Sequence, residues 1–76
     1  MSCSLADLAV GESARVRGYL EDGEFAHRLM SLGLIPGTEL VVKRRAPLGD
    51  PVEIDLRGFR LALRPRDAAF LQLERT

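Results

Sequence analysis

A chain of 76 residues has room for one small hydrophobic core, which excludes a multidomain enzyme. Eleven Lys and Arg balance eleven Asp and Glu, so no global positive field exists to hold a polyanion, and sequence-independent nucleic-acid binding is disfavoured. With 46% hydrophobic and 29% charged residues and little low-complexity sequence, residues 1–76 read as a single folded domain.

Ser4 and Asp7 have the spacing at which two side chains satisfy the orphan amides of a helix start, so one short turn is expected there, anchored by Leu5 and Leu8. From Ala14 to Leu20 apolar residues alternate with Arg15, Arg17 and Tyr19, the pattern of a half-buried strand facing the core through Ala14, Val16 and Leu20, with Gly18 marking a bulge. Asp22 is the expected cap of a helix of about ten residues. Phe25, Leu29 and Leu32 form its apolar stripe, widened by Ala26 and Met30, and Gly33 closes it. Pro36-Gly37 is the central pair of a type II turn, after which a strand runs from Glu39 to about Arg45.

Ala46 to Pro51 cannot extend that strand, because Pro47 and Pro51 remove ladder donors and Gly49 loosens the backbone. It reads as an exposed loop that includes Asp50, with Leu48 at its apex. Val52, Ile54 and Leu56 alternate with charged residues, as do Phe59, Leu61 and Leu63, and Arg57-Gly58 joins the two runs as a tight hairpin. Pro65 to Ala69 suits a single helical turn, and Phe70 to Glu74 returns as a strand with Leu71 and Leu73 inward. The fold class is mainly β: a small SH3-like antiparallel barrel of about five strands, closed so that no edges remain, with an α-helix inserted after the first.

The chain lacks the residue sets that chemistry would need. With one His and one Cys, no nucleophile has a base held by a third group, and Glu53 and Asp55 share a solvent face where a carboxyl pKa is not pushed upward. No phosphate-cradling glycine loop occurs, so neither catalysis nor a cofactor is expected. His27, Glu24 and Cys3 form no recognised ligand spacing and are the weak candidates for a metal. The lone cysteine suits a reducing cytoplasm, and no leader or membrane-spanning segment is expected.

What remains is a binding surface. Met30 beside the helix stripe, Leu34 and Ile35 after it, and Leu48 in the proline loop would form an apolar patch rimmed by Arg28, Arg44 and Arg45, suited to a protein with an acidic rim. Such a patch also supports a weak homodimer when the partner is absent.

Leu5-Ala6-Asp7-Leu8 with Gly11, then Arg28-Leu29-Met30-Ser31-Leu32-Gly33-Leu34-Ile35-Pro36-Gly37-Thr38, then Ala46-Pro47-Leu48-Gly49-Asp50-Pro51-Val52, follow one another in an order that resembles the FeoA family, a match continuing through Asp67-Ala68-Ala69 to about Leu73. The resemblance implies a non-enzymatic SH3-like accessory protein of bacterial ferrous iron uptake. It implies a cytoplasmic location, at the inner membrane only through FeoB, the GTPase transporter whose cytoplasmic part it would bind and modulate. It also relates the chain to the SH3-like domains that end iron-dependent repressors, the source of an alternative reading as a regulatory or nucleic-acid-binding module. Family positions carry over as Gly33, Pro36 and Gly37 at the helix exit and Pro47, Gly49, Asp50 and Pro51 in the loop, where turn geometry explains them. Met30, Leu34, Leu48, Arg44 and Arg45 are the residues expected to touch the partner.

Overall fold

Six strands form one antiparallel sheet in the computed structural model, which describes residues 2–48 and 50–76. In chain order these are β1 (Ser2–Cys3), β2 (Ser13–Tyr19), β3 (Glu39–Arg45), β4 (Val52–Leu56), β5 (Phe59–Leu63) and β6 (Leu71–Arg75), with one helix, α1 (Glu24–Ser31), after β2. The spatial order is β1-β6-β2-β3-β4-β5. A strand of two residues at the amino terminus was not foreseen from alternation, since two residues carry no period. β1 pairs with β6 alone and β5 with β4 alone, so the ladder stays open between them and the expectation of a sheet without edges is corrected.

The core collects Val16 of β2, Leu40 and Val42 of β3, Val52, Ile54 and Leu56 of β4, and Leu71 and Leu73 of β6, all at most 2% exposed. Leu5 and Leu8 seal one side from a 3-10 turn over Leu5–Asp7, where the Ser4 N–H donates to the Asp7 carboxylate at 2.9 Å. Pro65 to Phe70 forms consecutive hydrogen-bonded turns that bury Ala68, with one helical turn closed by Ala68 N–H donating to Arg64 C=O at 3.1 Å.

A bulge between Val16 and Gly18 shifts the β2–β6 register. The extra residue brings Tyr19 opposite Leu71, its ring 5.9 Å from that of Phe70, and its hydroxyl donates to the Leu34 carbonyl at 2.6 Å. Leu20, expected inside by strict alternation, is thereby turned outward and is 66% exposed.

Gly23 rather than Asp22 caps helix α1, and the Asp22 carboxylate instead accepts from His27 Nε2 at 2.6 Å. Ala26 and Leu29 are the residues it buries, while Phe25 lies at the margin, edge-on to Phe70 with ring centroids 5.8 Å apart. Its exit is a Schellman motif: Gly33 N–H donates to Met30 C=O at 3.0 Å, and Leu34 N–H to Leu29 C=O at 3.1 Å, with Gly33 at φ 111°. This reversal sends Leu34 into the core and leaves Leu32 on the rim, the opposite of what the helical stripe predicts.

Candidate partner-docking surface

The β3–β4 ribbon has two ends that differ in construction. At one end β3 leaves through Ala46 to Pro51, closed by Ala46 N–H donating to Pro51 C=O at 3.1 Å, with a cis Asp50–Pro51 bond. Pro47, Asp50 and Pro51 are exposed in this connection, and Gly49 lies outside the described residues. Leu48 stands at its tip, 96% exposed.

At the other end, Leu56 pairs with Phe59 across Arg57 and Gly58, both at positive φ as a type I′ turn requires. The helix exit packs here: a Cβ on Gly33 would lie 3.5 Å from Leu56 Cδ1 and 4.0 Å from Phe59 Cζ. Phe59 is therefore not the core residue that alternation suggests. It is 42% exposed, beside Leu32 at 38% and Ile35 at 43% on the segment leaving the helix.

Of the residues expected to touch a partner, the structure does not make one patch. Leu34 is fully buried, and that expectation is corrected: as the residue after the Schellman glycine it packs with Leu29. Met30 is half-buried on α1. Arg45 is half-buried, with its guanidinium donating to the Leu8 carbonyl, whereas Arg44 is exposed and, among the described residues, without an ion pair. Leu48 and Arg44 belong to the loop end, and the helix exit to the hairpin end, separated by the length of β4, about 13 Å at 3.3 Å per residue.

Phe59 reaches the helix exit at Gly33, and the exposed Leu32 and Ile35 flank that glycine along the chain. Arg28, one helical turn before Leu32, and Arg57, at the hairpin turn, are exposed and form no ion pair among the described residues, so they supply a cationic rim. Beside Phe59 a groove of about 580 Å³ opens between Glu39, Val41, Asp55, Leu56 and Arg60. Arg57 lines it as well, without an ion pair among the described residues, whereas Arg60 Nε donates to Asp55 at 2.9 Å and that hydrogen bond holds the Asp55 carboxyl below its usual range. Of this cluster the sequence signalled the helix exit alone: a Schellman glycine at Gly33 turns the residue after it back onto the last helical turn.

The weak metal candidates do not converge. His27 is committed to Asp22, Cys3 lies on β1 opposite Leu73, and among the described residues no three His, Cys, Asp or Glu side chains are grouped to hold a metal ion. Among the described residues, no helix is long and apolar enough to cross a membrane.

The model of the FeoA domain matches residues 3–75. The chain belongs to the FeoA family. A Porphyromonas gingivalis protein described as a fusion of Fe(2+) transport protein A with the Fe(2+) transporter FeoB is 31% identical over 70 residues, which is 92% of this chain and 8% of the fusion. This FeoA chain thus spans a small fraction of that curated relative.

Among solved structures, iron(II) transport protein A of Clostridium thermocellum superposes with a TM-score of 0.90 at 31% identity, over 97% of this chain and 46% of that one. Zinc-complexed FeoA of Stenotrophomonas maltophilia, described as an SH3 domain protein and a suggested activating factor of bacterial ferrous iron transport, gives 0.82 at 26% identity, over 95% and 89%. IdeR of T. acidophilum gives 0.84 at 18% identity over 99% of this chain and 34% of that one, a likeness of fold alone. The SH3-like, mainly β architecture expected of an FeoA protein is the one observed.

Proposed function

We propose that this FeoA protein is a non-catalytic accessory of ferrous iron uptake that docks on the cytoplasmic part of FeoB and biases its GTPase or conformational cycle. The observation that carries the reading is the relative in which an FeoA segment and FeoB share one polypeptide, because fusion holds two partners at high effective concentration. The docking face is the cluster of Leu32, Ile35 and Phe59 with its Arg28 and Arg57 rim. Clustered apolar anchors dominate interface energetics, whereas a single exposed leucine such as Leu48 is ordinary surface. Docking alters the cycle only if one state of FeoB is bound more tightly, and a tenfold preference, about 1.4 kcal/mol, is enough for a useful shift.

The test is binding of the purified chain to the cytoplasmic region of FeoB from the same organism, at low and high salt, with GTP hydrolysis followed in parallel. Expected is binding that survives high salt, falls about tenfold or more in Ile35→Asp, and is unchanged in Leu48→Glu. Loss of binding in Leu48→Glu with retention in Ile35→Asp moves the docking face to the loop end. Absence of FeoB binding, with nucleic acid captured and released by salt, overturns the accessory reading in favour of a regulatory one.

A further inference from the structure

The open ladder leaves two margins, and they are unequal. β1 contributes two residues, a length that blunts an edge, whereas β5 presents five. The pair flanking a two-residue hairpin turn exchanges both ladder bonds, and bonding then alternates along the strands. Leu56 and Phe59 are that pair, so Phe59, Leu61 and Leu63 direct their backbone groups to β4. Arg60 and Ala62 direct theirs outward, where among the described residues they meet no backbone partner, and both residues are exposed.

We infer that two copies of this chain pair antiparallel through β5, about a two-fold axis passing at Leu61. The ladder can form only where outward-facing residues meet outward-facing residues, which leaves few registers. An axis at Arg60 sets Arg60 against its own copy, and an axis at Ala62 sets Arg60 against Arg64, like charges directly opposite in both cases. An axis at Leu63 relies on Arg64, whose carbonyl is already taken by the N–H groups of Asp67 and Ala68.

The axis at Leu61 sets Arg60 against Ala62 and Phe59 against Leu63 and uses the whole strand. Arg60 keeps its own carboxylates, Asp55 at 2.9 Å and Glu53 at 3.8 Å, so its charge is balanced within each copy. On the inner face the half-buried Leu61 meets its own copy, while Phe59 stands opposite Leu63 of the second copy, which at 7% exposure adds little contact. The formal net charge of zero gives no long-range repulsion between copies. This association shares Phe59 with the docking face of the FeoB reading but uses neither Leu32 nor Ile35, so Ile35→Asp tests that reading without touching the β5 pairing.

Sedimentation velocity over a dilution series of the full chain is expected to give a monomer–dimer equilibrium. Ala62→Pro removes an outward N–H and none of the bonds to β4, and an edge strand tolerates proline, so the fold is retained while the dimer dissociation constant rises. Two symmetric hydrogen bonds are lost, an effect of about tenfold. In a Cys3→Ser background, Leu61→Cys is expected to form a covalent dimer under oxidised glutathione, because residues opposite in a non-hydrogen-bonded pair have Cα atoms about 4.5 Å apart, within disulfide reach. Ala62→Cys, which faces Arg60 of the second copy, is expected to crosslink poorly. A chain monomeric at every concentration, a folded Ala62→Pro that dimerises like the parent, or faster crosslinking at Ala62 than at Leu61 overturns the inference.

Discussion

The loop end and the hairpin end of the β3–β4 ribbon each expose apolar side chains, but only at the hairpin end do they lie against a packed helix exit. At the loop end Leu48 is nearly fully exposed, on a connection that an Arg64–Asp50 ion pair at 3.9 Å ties to the end of β5. At the hairpin end Phe59, Leu32 and Ile35 are each between 38% and 43% exposed, because the helix exit leans on Leu56 and Phe59. The more exposed residue is the less informative one. A half-buried cluster is held in place by the core beneath it, and that order is what a docking surface requires.

If the hairpin end is the structured one, substitutions there cost stability and substitutions at the loop do not. The largest effect is expected from Leu56→Ala, which empties a site 2% exposed beneath the helix exit and should lower unfolding free energy by about 2–5 kcal/mol in urea titration. Gly33→Ala forces a Cβ onto a residue at positive φ, although the space beside Leu56 would admit it at ordinary contact distance, and a loss of about 1–2 kcal/mol is expected by the same measurement.

A smaller effect separates the ends by pH. The folded Asp55 carboxyl titrates below its ordinary 3.8, chiefly through the Arg60 hydrogen bond, so its contribution is present above that value and is lost as pH falls through the lower folded value. Asp7 and Glu12 are depressed in the same direction by the backbone N–H groups of Ser4 and Ala9. Asp55→Asn should therefore reduce, without abolishing, the fall in thermal midpoint between about pH 4 and pH 2. Smallest of all is Leu48→Glu, expected to leave stability within about 0.5 kcal/mol; a larger loss would mean that the loop end is packed after all.

Much of the fold was legible in one dimension. Alternation assigned Val52, Ile54, Leu56, Leu71 and Leu73 to the core, because a strand's period of two sorts side chains between faces before any partner is chosen. The turns at Pro36-Gly37 and Arg57-Gly58 and the stop at Gly33 were legible for a related reason: positive φ is a local steric demand that names its residue. Serine and aspartate at Ser4 and Asp7 marked the first turn through a contact spanning three residues.

What the periodicities left open is everything that depends on who covers whom. Leu20 left the core because a single extra residue in β2 inverts every face beyond it, and a glycine marks where a bulge can form but not that the register will slip. Leu32 and Leu34 exchanged roles because the helical stripe is extrapolated past the point at which the chain reverses. Asp22 gave up the cap to bond His27, a choice between two nearby partners of similar strength. Above all, the site itself was beyond sequence, since Leu32, Ile35 and Phe59 are neighbours only after the helix exit settles on the β4–β5 hairpin. The local sequence determined the elements and their faces through short-range sterics; the tertiary structure decided which apolar residues were left uncovered, because burial is a property of the assembled sheet and helix together.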